Sequence, residues 1–201
     1  SAIERAGADN VALVSFLWAN NEVGSVQPVQ ALARAARSAG VPVHIDAVSA
    51  LGQVPIDFRA SGASALSVSA HKIGGPVGVG ALVLGRYANA DPLFHGGSQQ
   101  RARSGTQNVA GAVGFAAALD WAGLGTAGST LETAADRHTH MAALRDRLIA
   151  GLRDVIPDAV LRGAAPGPGR LPGNAHFTFP ECQGDSLVFL LDAAGISASV
   201  G

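Results

Sequence analysis

The chain has 201 residues, of which 48% are hydrophobic and 14% are charged. Disordered chains are charge-rich and poor in apolar residues, so this composition excludes disorder as the default and leaves enough apolar surface for a packed core. The 14 basic residues are balanced by 15 acidic ones. This balance argues against nucleic-acid binding, because no basic excess exists to neutralise phosphates.

Cysteine content and apolar run lengths indicate the cellular setting. The chain has one cysteine, Cys182, which cannot form an internal disulfide and does not point to an oxidising compartment. No apolar run approaches the ~20 residues that span a bilayer, and the first ten residues lack a signal-peptide pattern. We therefore expect a cytoplasmic protein with no membrane partner.

Predicted strands and helices alternate in the first part of the chain. Apolar residues recur at helical spacing between Pro28, a favoured first-turn residue, and Gly40, which ends that helix. Apolar runs of strand length cover 11–18, 41–46, 63–70 and 80–84. This order is typical of βαβ units, so the sequence predicts an α/β fold with a mainly parallel sheet.

The remainder of the chain predicts a different mixture of elements. Helices are expected over 108–122, 132–155 and 184–194, and strands over 174–179 and 196–200. A Gly- and Pro-rich tract at 163–170 is typical of a loop. We assign residues 1–127 to a larger sheet domain, 128–156 to a linking helix and 157–201 to part of a smaller α+β domain.

Lys72 follows a predicted strand and two polar neighbours, Ser69 and His71. Most lysines in such a place are merely solvated. A lysine held at a buried strand end, however, can lose its proton and attack a carbonyl group as an amine nucleophile. The neighbouring hydroxyl and imidazole could then bind a phosphate and position the amine.

Asp46 ends another predicted strand. It is either a surface carboxylate or a fixed negative charge that keeps a pyridine nitrogen protonated, as a pyridoxal ring needs when it accepts electrons. His44 shares the same strand face, where a core histidine is at least as common as a ligand. Because ligands gather at the carboxyl ends of parallel strands, Asp46 and Lys72 together indicate a small-molecule site.

Two further polar segments have both an ordinary and a functional interpretation. Asn20-Asn21 is a common turn former that also lies at a strand end. Arg103-Ser-Gly-Thr106 could hold a phosphate through backbone amides and hydroxyls, although Ser-Gly turns are frequent.

Other candidate sites are weaker. The glycines at 74–80 lack the following helix and the Lys-Ser/Thr ending of a nucleotide loop. His138 and His140 are two residues apart on a predicted helix and so lie on different faces, which predicts no metal site. Cys182 lies in a polar turn with no cation nearby in sequence, so we expect an inert thiol.

Six short motifs occur in order: Ala19-Asn-Asn-Glu-Val-Gly24, His44-Ile-Asp-Ala47, Ser67-Val-Ser-Ala-His-Lys72, Gly75-Pro-Val-Gly-Val-Gly-Ala81, His95-Gly-Gly97 and Arg103-Ser-Gly-Thr106. Over nearly the whole chain this series resembles the cysteine desulfurases, pyridoxal-phosphate (PLP) enzymes of the class-V aminotransferase group. The resemblance implies the type I fold of PLP-dependent transferases, with helices on both faces of the sheet. It also implies the conversion of L-cysteine to L-alanine, with sulfur passed as a persulfide to an acceptor protein, as in iron–sulfur cluster assembly.

The resemblance also implies roles for residues around the ring. Lys72 matches the Schiff-base lysine, Asp46 the partner of the pyridine nitrogen and Asn21 the asparagine at the phenolic oxygen. The family usually has a second contact to that oxygen, a glutamine, three residues after the aspartate. This chain has the shorter Ser49 there.

The phosphate group has its own implied ligands. Ser69 and His71 match two of them, and Thr106 matches a third that reaches into the partner subunit's site. A homodimer is therefore implied.

Several family features are missing from the sequence. The ring-stacking histidine would precede residue 1, and the catalytic cysteine loop would follow Gly201, so we interpret the chain as an internal fragment that is inactive by itself. Cys182 lies in a different segment and does not take the catalytic role. The alternatives are a selenocysteine lyase, another class-V lyase, or a non-catalytic folded piece.

Overall fold

The structure is a computed structural model that describes residues 2–97, 103–124 and 131–201, with the backbone alone for 131–134. The strands are β1 Val14–Leu17, β2 Val43–Asp46, β3 Ala65–Ser69, β4 Gly80–Leu84, β5 Val160–Leu161 and β6 Phe177–Thr178. The α-helices are α1 Ala2–Ala6, α2 Val29–Ser38, α3 Phe58–Ser61, α4 Val109–Trp121, α5 Leu131–Val155 and α6 Gly184–Ala193. Short 3₁₀ helices cover Ala8–Asn10 and Ala70–Ile73.

The described residues divide into two compact units. One comprises Ser1–Trp18 with Gln27–Asp136, and the other Ala19–Val26 with Arg137–Gly201. The predicted boundary at 127/128 lies outside the described residues, and the division at 127 and 156 stays a prediction. No helix in the described part of the chain is long and apolar enough to cross a membrane.

The first unit contains a four-stranded sheet in the order β1-β2-β3-β4. The first three strands are parallel, and β4 runs antiparallel to β3. The predicted α/β fold with a mainly parallel sheet is therefore confirmed. Each parallel strand is shorter than its apolar run in the sequence.

Residues of β2 alternate between the buried core and a polar face of the sheet. Val43 and Ile45 are fully buried, whereas the alternating His44 and Asp46 are half-buried. Successive side chains of a strand point to opposite faces, so one face of β2 enters the core and the other carries polar groups. Val29, Ala33 and Ala36 form the buried side of α2, as their helical spacing predicts, whereas Leu32, predicted on the same apolar face, is exposed.

A second apolar cluster fixes the segment that follows β3. Its buried members are Ala70, Ile73, Phe115, Ala118 and Ala122. The 3₁₀ helix and α4 approach closely at Gly75, where a Cβ would lie 2.9 Å from that of Ala70 and 3.0 Å from that of Ala118. The backbone around Lys72 is therefore held by the core, although its side chain is not.

The second unit contains the antiparallel pair β5–β6 and helix α6. The predicted strand at 174–179 is reduced to the two residues of β6. The predicted strand at 196–200 is wrong. These residues are exposed and pair with no strand among the described residues, so no backbone partner is present to form a sheet.

Candidate functional site

Asp46 lies at the carboxyl end of β2. Its Oδ1 accepts a hydrogen bond from the Val48 backbone at 2.9 Å, while its own carbonyl accepts one from Trp18 N at 2.7 Å. The backbone on both sides is therefore fixed. Its second carboxylate oxygen has no hydrogen-bond partner among the described residues, so it can accept one from a ligand.

Lys72 lies in the 3₁₀ helix that continues directly from β3. The expectation of a lysine at a buried strand end is wrong, because Lys72 is exposed while Ala70 and Ile73 on either side are buried. Its amine has no hydrogen-bond or ion-pair partner in the described parts of the chain. It is also the only lysine of the sequence, a signal that sequence reasoning could have used and did not.

Ser69 and His71 lie on either side of the step from β3 into the 3₁₀ helix. Ser69 Oγ is 2.7 Å from His71 Nδ1 and also donates a long bond of 3.5 Å to the Val79 carbonyl. The exposed imidazole keeps its Nε2 without a partner in the described structure. A hydroxyl and a ring nitrogen therefore lie together, three residues and one residue before Lys72 in the chain.

The strand register places Asp46 and Ser69 on one face of the sheet. Ser67 of β3 lies opposite Asp46 of β2, and Ser69 is two residues further along β3. Since alternate residues of a strand share a face, all three line the polar face. The structure thus brings Asp46, Ser69, His71 and Lys72 to one edge of the sheet.

His44 lies on this same face and is not a core histidine. Its Nδ1 is 2.8 Å from Ser15 Oγ and its Nε2 is 2.7 Å from Ser67 Oγ, so the ring connects β1, β2 and β3. Sequence reasoning missed both serines. The available signal was a hydroxyl inside otherwise apolar strands, Ser15 in β1 and Ser67, two residues before Ser69, in β3.

Ser49 lies half-buried in the turn after β2, three residues beyond Asp46. Thr106 is exposed in the segment before α4 and makes no hydrogen bond to Ser69 or His71. Arg103 folds back over this segment, donating to the Ser104 carbonyl at 2.8 Å. Thr106 therefore stands apart from the residues at the ends of β2 and β3.

Asn21 belongs to the second unit. Asn20 is the turn former, because its Oδ1 accepts from the backbone of Glu22 at 3.0 Å and of Val23 at 2.8 Å. The Asn21 side chain is exposed and has no partner among the described residues. The Asn pair thus combines a turn residue with a free amide.

The site consists of polar groups rather than a metal-binding cluster. Within residues 2–97, 103–124 and 131–201, no three His, Cys, Asp or Glu side chains are grouped as metal ligands would be. A free amine, a carboxylate with an open oxygen, and a hydroxyl–imidazole pair could instead hold a carbonyl compound that carries a protonated ring nitrogen and a phosphate.

Comparison with known proteins defines the class. The mainly parallel sheet belongs to the type I fold of PLP-dependent transferases, as in the NifS-like structures to which the chain is similar. The profile of the family "Aminotransferase class-V" matches residues 1–201, and the chain belongs to that family.

Within this family, the chain is similar to curated cysteine desulfurases. The chain is 50% identical over 194 residues to an IscS-like cysteine desulfurase of Mycobacterium tuberculosis, covering 96% of this chain and 47% of that protein. It is 41% identical to the cysteine desulfurase NifS of Azotobacter vinelandii, covering 96% of this chain and 46% of that one. The resemblance to cysteine desulfurases is therefore confirmed, and the chain spans about half the length of these relatives.

Solved structures agree with the curated relatives. A NifS-like protein matches with a TM-score of 0.84 at 35% identity, covering 100% of this chain and 52% of that chain. A NifS-like protein from Rickettsia africae matches with a TM-score of 0.82 at 27% identity, covering 95% and 50%. A structure of SspA in complex with cysteine matches at 35% identity over 59% of this chain and 35% of that one, with a TM-score of 0.54.

Proposed function

We propose that the protein to which this chain belongs is a PLP-dependent cysteine desulfurase that converts L-cysteine to L-alanine and passes the sulfur on as a persulfide. One observation carries the proposal. Asp46, with an open carboxylate oxygen, ends β2, and Lys72 follows the neighbouring parallel strand β3. The substrate is proposed from the relatives, which are named cysteine desulfurases, and the similarity to SspA in complex with cysteine supports it.

The residues present fit this cofactor. PLP needs an amine for its aldehyde, an anion for its ring nitrogen and donors for its phosphate. Lys72 has a free, exposed amine, Asp46 has an open oxygen, and Ser69 with His71 forms a hydroxyl–imidazole pair. When bound, the cofactor supplies an electron sink for the negative charge that develops at the substrate α-carbon.

The protein's own groups would divide the work. Lys72 Nζ would hold the cofactor covalently and, when its amine is free, would accept the α-proton of the substrate as a general base. Asp46 would keep the ring nitrogen protonated, since a carboxylate beside an N–H favours the charged form.

The phosphate and the phenolic oxygen would be bound by other residues. Ser69 and His71 would hold the phosphate, with Thr106 donated into the partner subunit's site of a homodimer. By the family resemblance, Asn21 would contact the phenolic oxygen. Ser49 is the residue at the family's glutamine position and reaches less far, so we expect Asn21 to carry most of that contact.

The remaining partners follow from the same proposal. A sulfur-acceptor protein would receive the persulfide, and the reaction would take place in the cytoplasm. The supply of sulfur to iron–sulfur clusters is the corresponding pathway, as the names IscS and NifS of the relatives suggest.

Covalent trapping tests the proposal directly. The protein is incubated with PLP, reduced with borohydride and digested, and the modified peptide is identified by mass spectrometry. Because Lys72 is the only lysine of this chain, we expect the label on the peptide containing Lys72 and its loss in Lys72→Arg. Labelling that persists in Lys72→Arg at any other position of the chain would refute the proposal.

A further inference from the structure

Arg170 is a buried charge that the proposed mechanism does not use. It is 2% exposed, and no carboxylate lies within ion-pair distance of it among the described residues. Burial, together with the charges of Arg145 and Arg153, lowers the pKa of Arg170. A buried cation without a counter-ion is costly unless hydrogen bonds compensate, so its hydrogen-bond partners show what it does.

Those partners are all neutral oxygens of one short segment. The guanidinium donates to the Ala164 carbonyl at 2.6 Å, to the Arg162 carbonyl, and to Asn174 Oδ1 at 2.9 Å. Only a planar fork can reach three residues in this way. Arg170 therefore shapes the loop between β5 and β6 and holds the Asn174 side chain.

The contact between Arg170 and Asn174 fixes which way the amide points. Since Asn174 Oδ1 accepts from Arg170, its Nδ2 faces outward and donates to the Glu22 carbonyl at 2.7 Å. His176 Nδ1 approaches the same carbonyl at 3.2 Å. The residue next to Asn21 is thereby tied to a segment about 150 positions later in the sequence.

The rest of the 20–26 loop is tied to the same segment. Leu171 N donates to the Gly24 carbonyl at 2.8 Å, and Val26 N to the Gly169 carbonyl at 2.9 Å. Ala164 N donates to Ser25 Oγ at 2.9 Å. The backbone on the carboxyl side of Asn21 is thus held by the 164–174 segment, while the Asn21 side chain has no partner among the described residues.

Building on the proposed function, which assigns Asn21 to the phenolic oxygen of the cofactor, we infer that Arg170 and Asn174 are positioning residues that fix the backbone next to Asn21. Arg170 holds Asn174, Asn174 holds the Glu22 carbonyl, and the fixed backbone presents the Asn21 amide. Without these contacts the turn formed by Asn20 would remain, but Asn174 would no longer hold the backbone of that turn in place.

The substitution Asn174→Asp removes the contact with Glu22 and keeps the contact with Arg170. The carboxylate still accepts from Arg170 but cannot donate to the Glu22 carbonyl. Asn10→Asp is the matched control, because Asn10 Nδ2 donates to the Ala6 carbonyl at 2.9 Å in a segment without site residues. In the full-length protein, we expect amide hydrogen exchange within residues 22–26 to accelerate about tenfold or more in Asn174→Asp and to stay unchanged in Asn10→Asp.

The link to Asn21 is tested by the pH dependence of the bound cofactor's visible absorbance. Asn174→Asp should shift this titration in the same direction as Asn21→Ala. In a protein that already carries Asn21→Ala, Asn174→Asp should cause no further shift, because both substitutions weaken the same contact between Asn21 and the phenolic oxygen. Unchanged exchange in Asn174→Asp, or a spectral shift that persists in that background, would overturn the inference. If PLP does not bind the wild-type protein, the proposed function fails, while hydrogen exchange still reports on the contacts of Arg170 and Asn174 with the Glu22 backbone.

Discussion

The hydroxyl of Ser69 and Nδ1 of His71 are 2.7 Å apart at the step from β3 into the 3₁₀ helix that carries Lys72. Each side chain therefore sets the direction of the other. A phosphate bound here would meet a prearranged pair, because the imidazole is already oriented and keeps its Nε2 available.

This pair predicts non-additive losses of cofactor affinity. Ser69→Ala and His71→Ala should each raise the PLP dissociation constant roughly 10- to 100-fold, as loss of a hydrogen bond to a charged group does. The double variant should lose less than the product of the two, because each residue positions the other. Absorbance titration measures the constants, with exposed Ser38→Ala of α2 as control. Independent, multiplicative losses would contradict the pairing.

The open oxygen of Asp46 predicts a change in rate rather than in folding. Asp46→Asn keeps an acceptor for Val48 N but loses the charge that protonates the ring, so the full-length enzyme should bind PLP and lose about 100-fold or more in kcat. Asp57→Asn is the matched control, since Asp57 Oδ1 accepts from Ala60 N at 2.9 Å away from these strand ends. Alanine release from L-cysteine gives kcat, and near-normal turnover in Asp46→Asn would exclude the assigned role.

Cys182 is predicted not to carry the sulfur. Its thiol is exposed, in the turn before α6. Cys182→Ser in the full-length enzyme should leave persulfide formation unchanged, as measured by intact-protein mass spectrometry after exposure to L-cysteine. Loss of the persulfide in this variant would identify Cys182 as the carrier.

A side chain at position 24 is predicted to destabilise the protein, because Gly24 packs closely against Asn174. Its φ is +70°, and a Cβ there would collide with the Asn174 side chain. Gly40 is the matched control, with φ +75° and no atom within 4 Å of an added Cβ. Gly40→Ala should cost about 1 kcal/mol for the left-handed backbone, and Gly24→Ala roughly 1–3 kcal/mol more for overpacking. Urea unfolding measures the free energy of unfolding of each variant. Equal losses in the two variants would show that the Asn174 side chain moves aside without cost.

Local pattern was enough to predict the main elements. The spacing of Val29, Leu32, Ala33 and Ala36 indicated α2, and the apolar runs indicated the four strands of the sheet. These features depend on near neighbours in the chain, because the period of a helix or strand is repeated within a few residues. The motif at Ser69, His71 and Lys72 was found for the same reason.

Tertiary structure alone decided the contacts between distant residues. Sequence could not show that β4 is antiparallel, that His44 contacts Ser15 and Ser67, or that Lys72 is exposed. The contacts of His44 depend on strand register, and a shift of one residue would move each side chain to the opposite face. Arg170 lies in a tract whose composition predicts only a loop. It is buried because the carbonyl groups folded around it satisfy its guanidinium, an arrangement that no local pattern encodes.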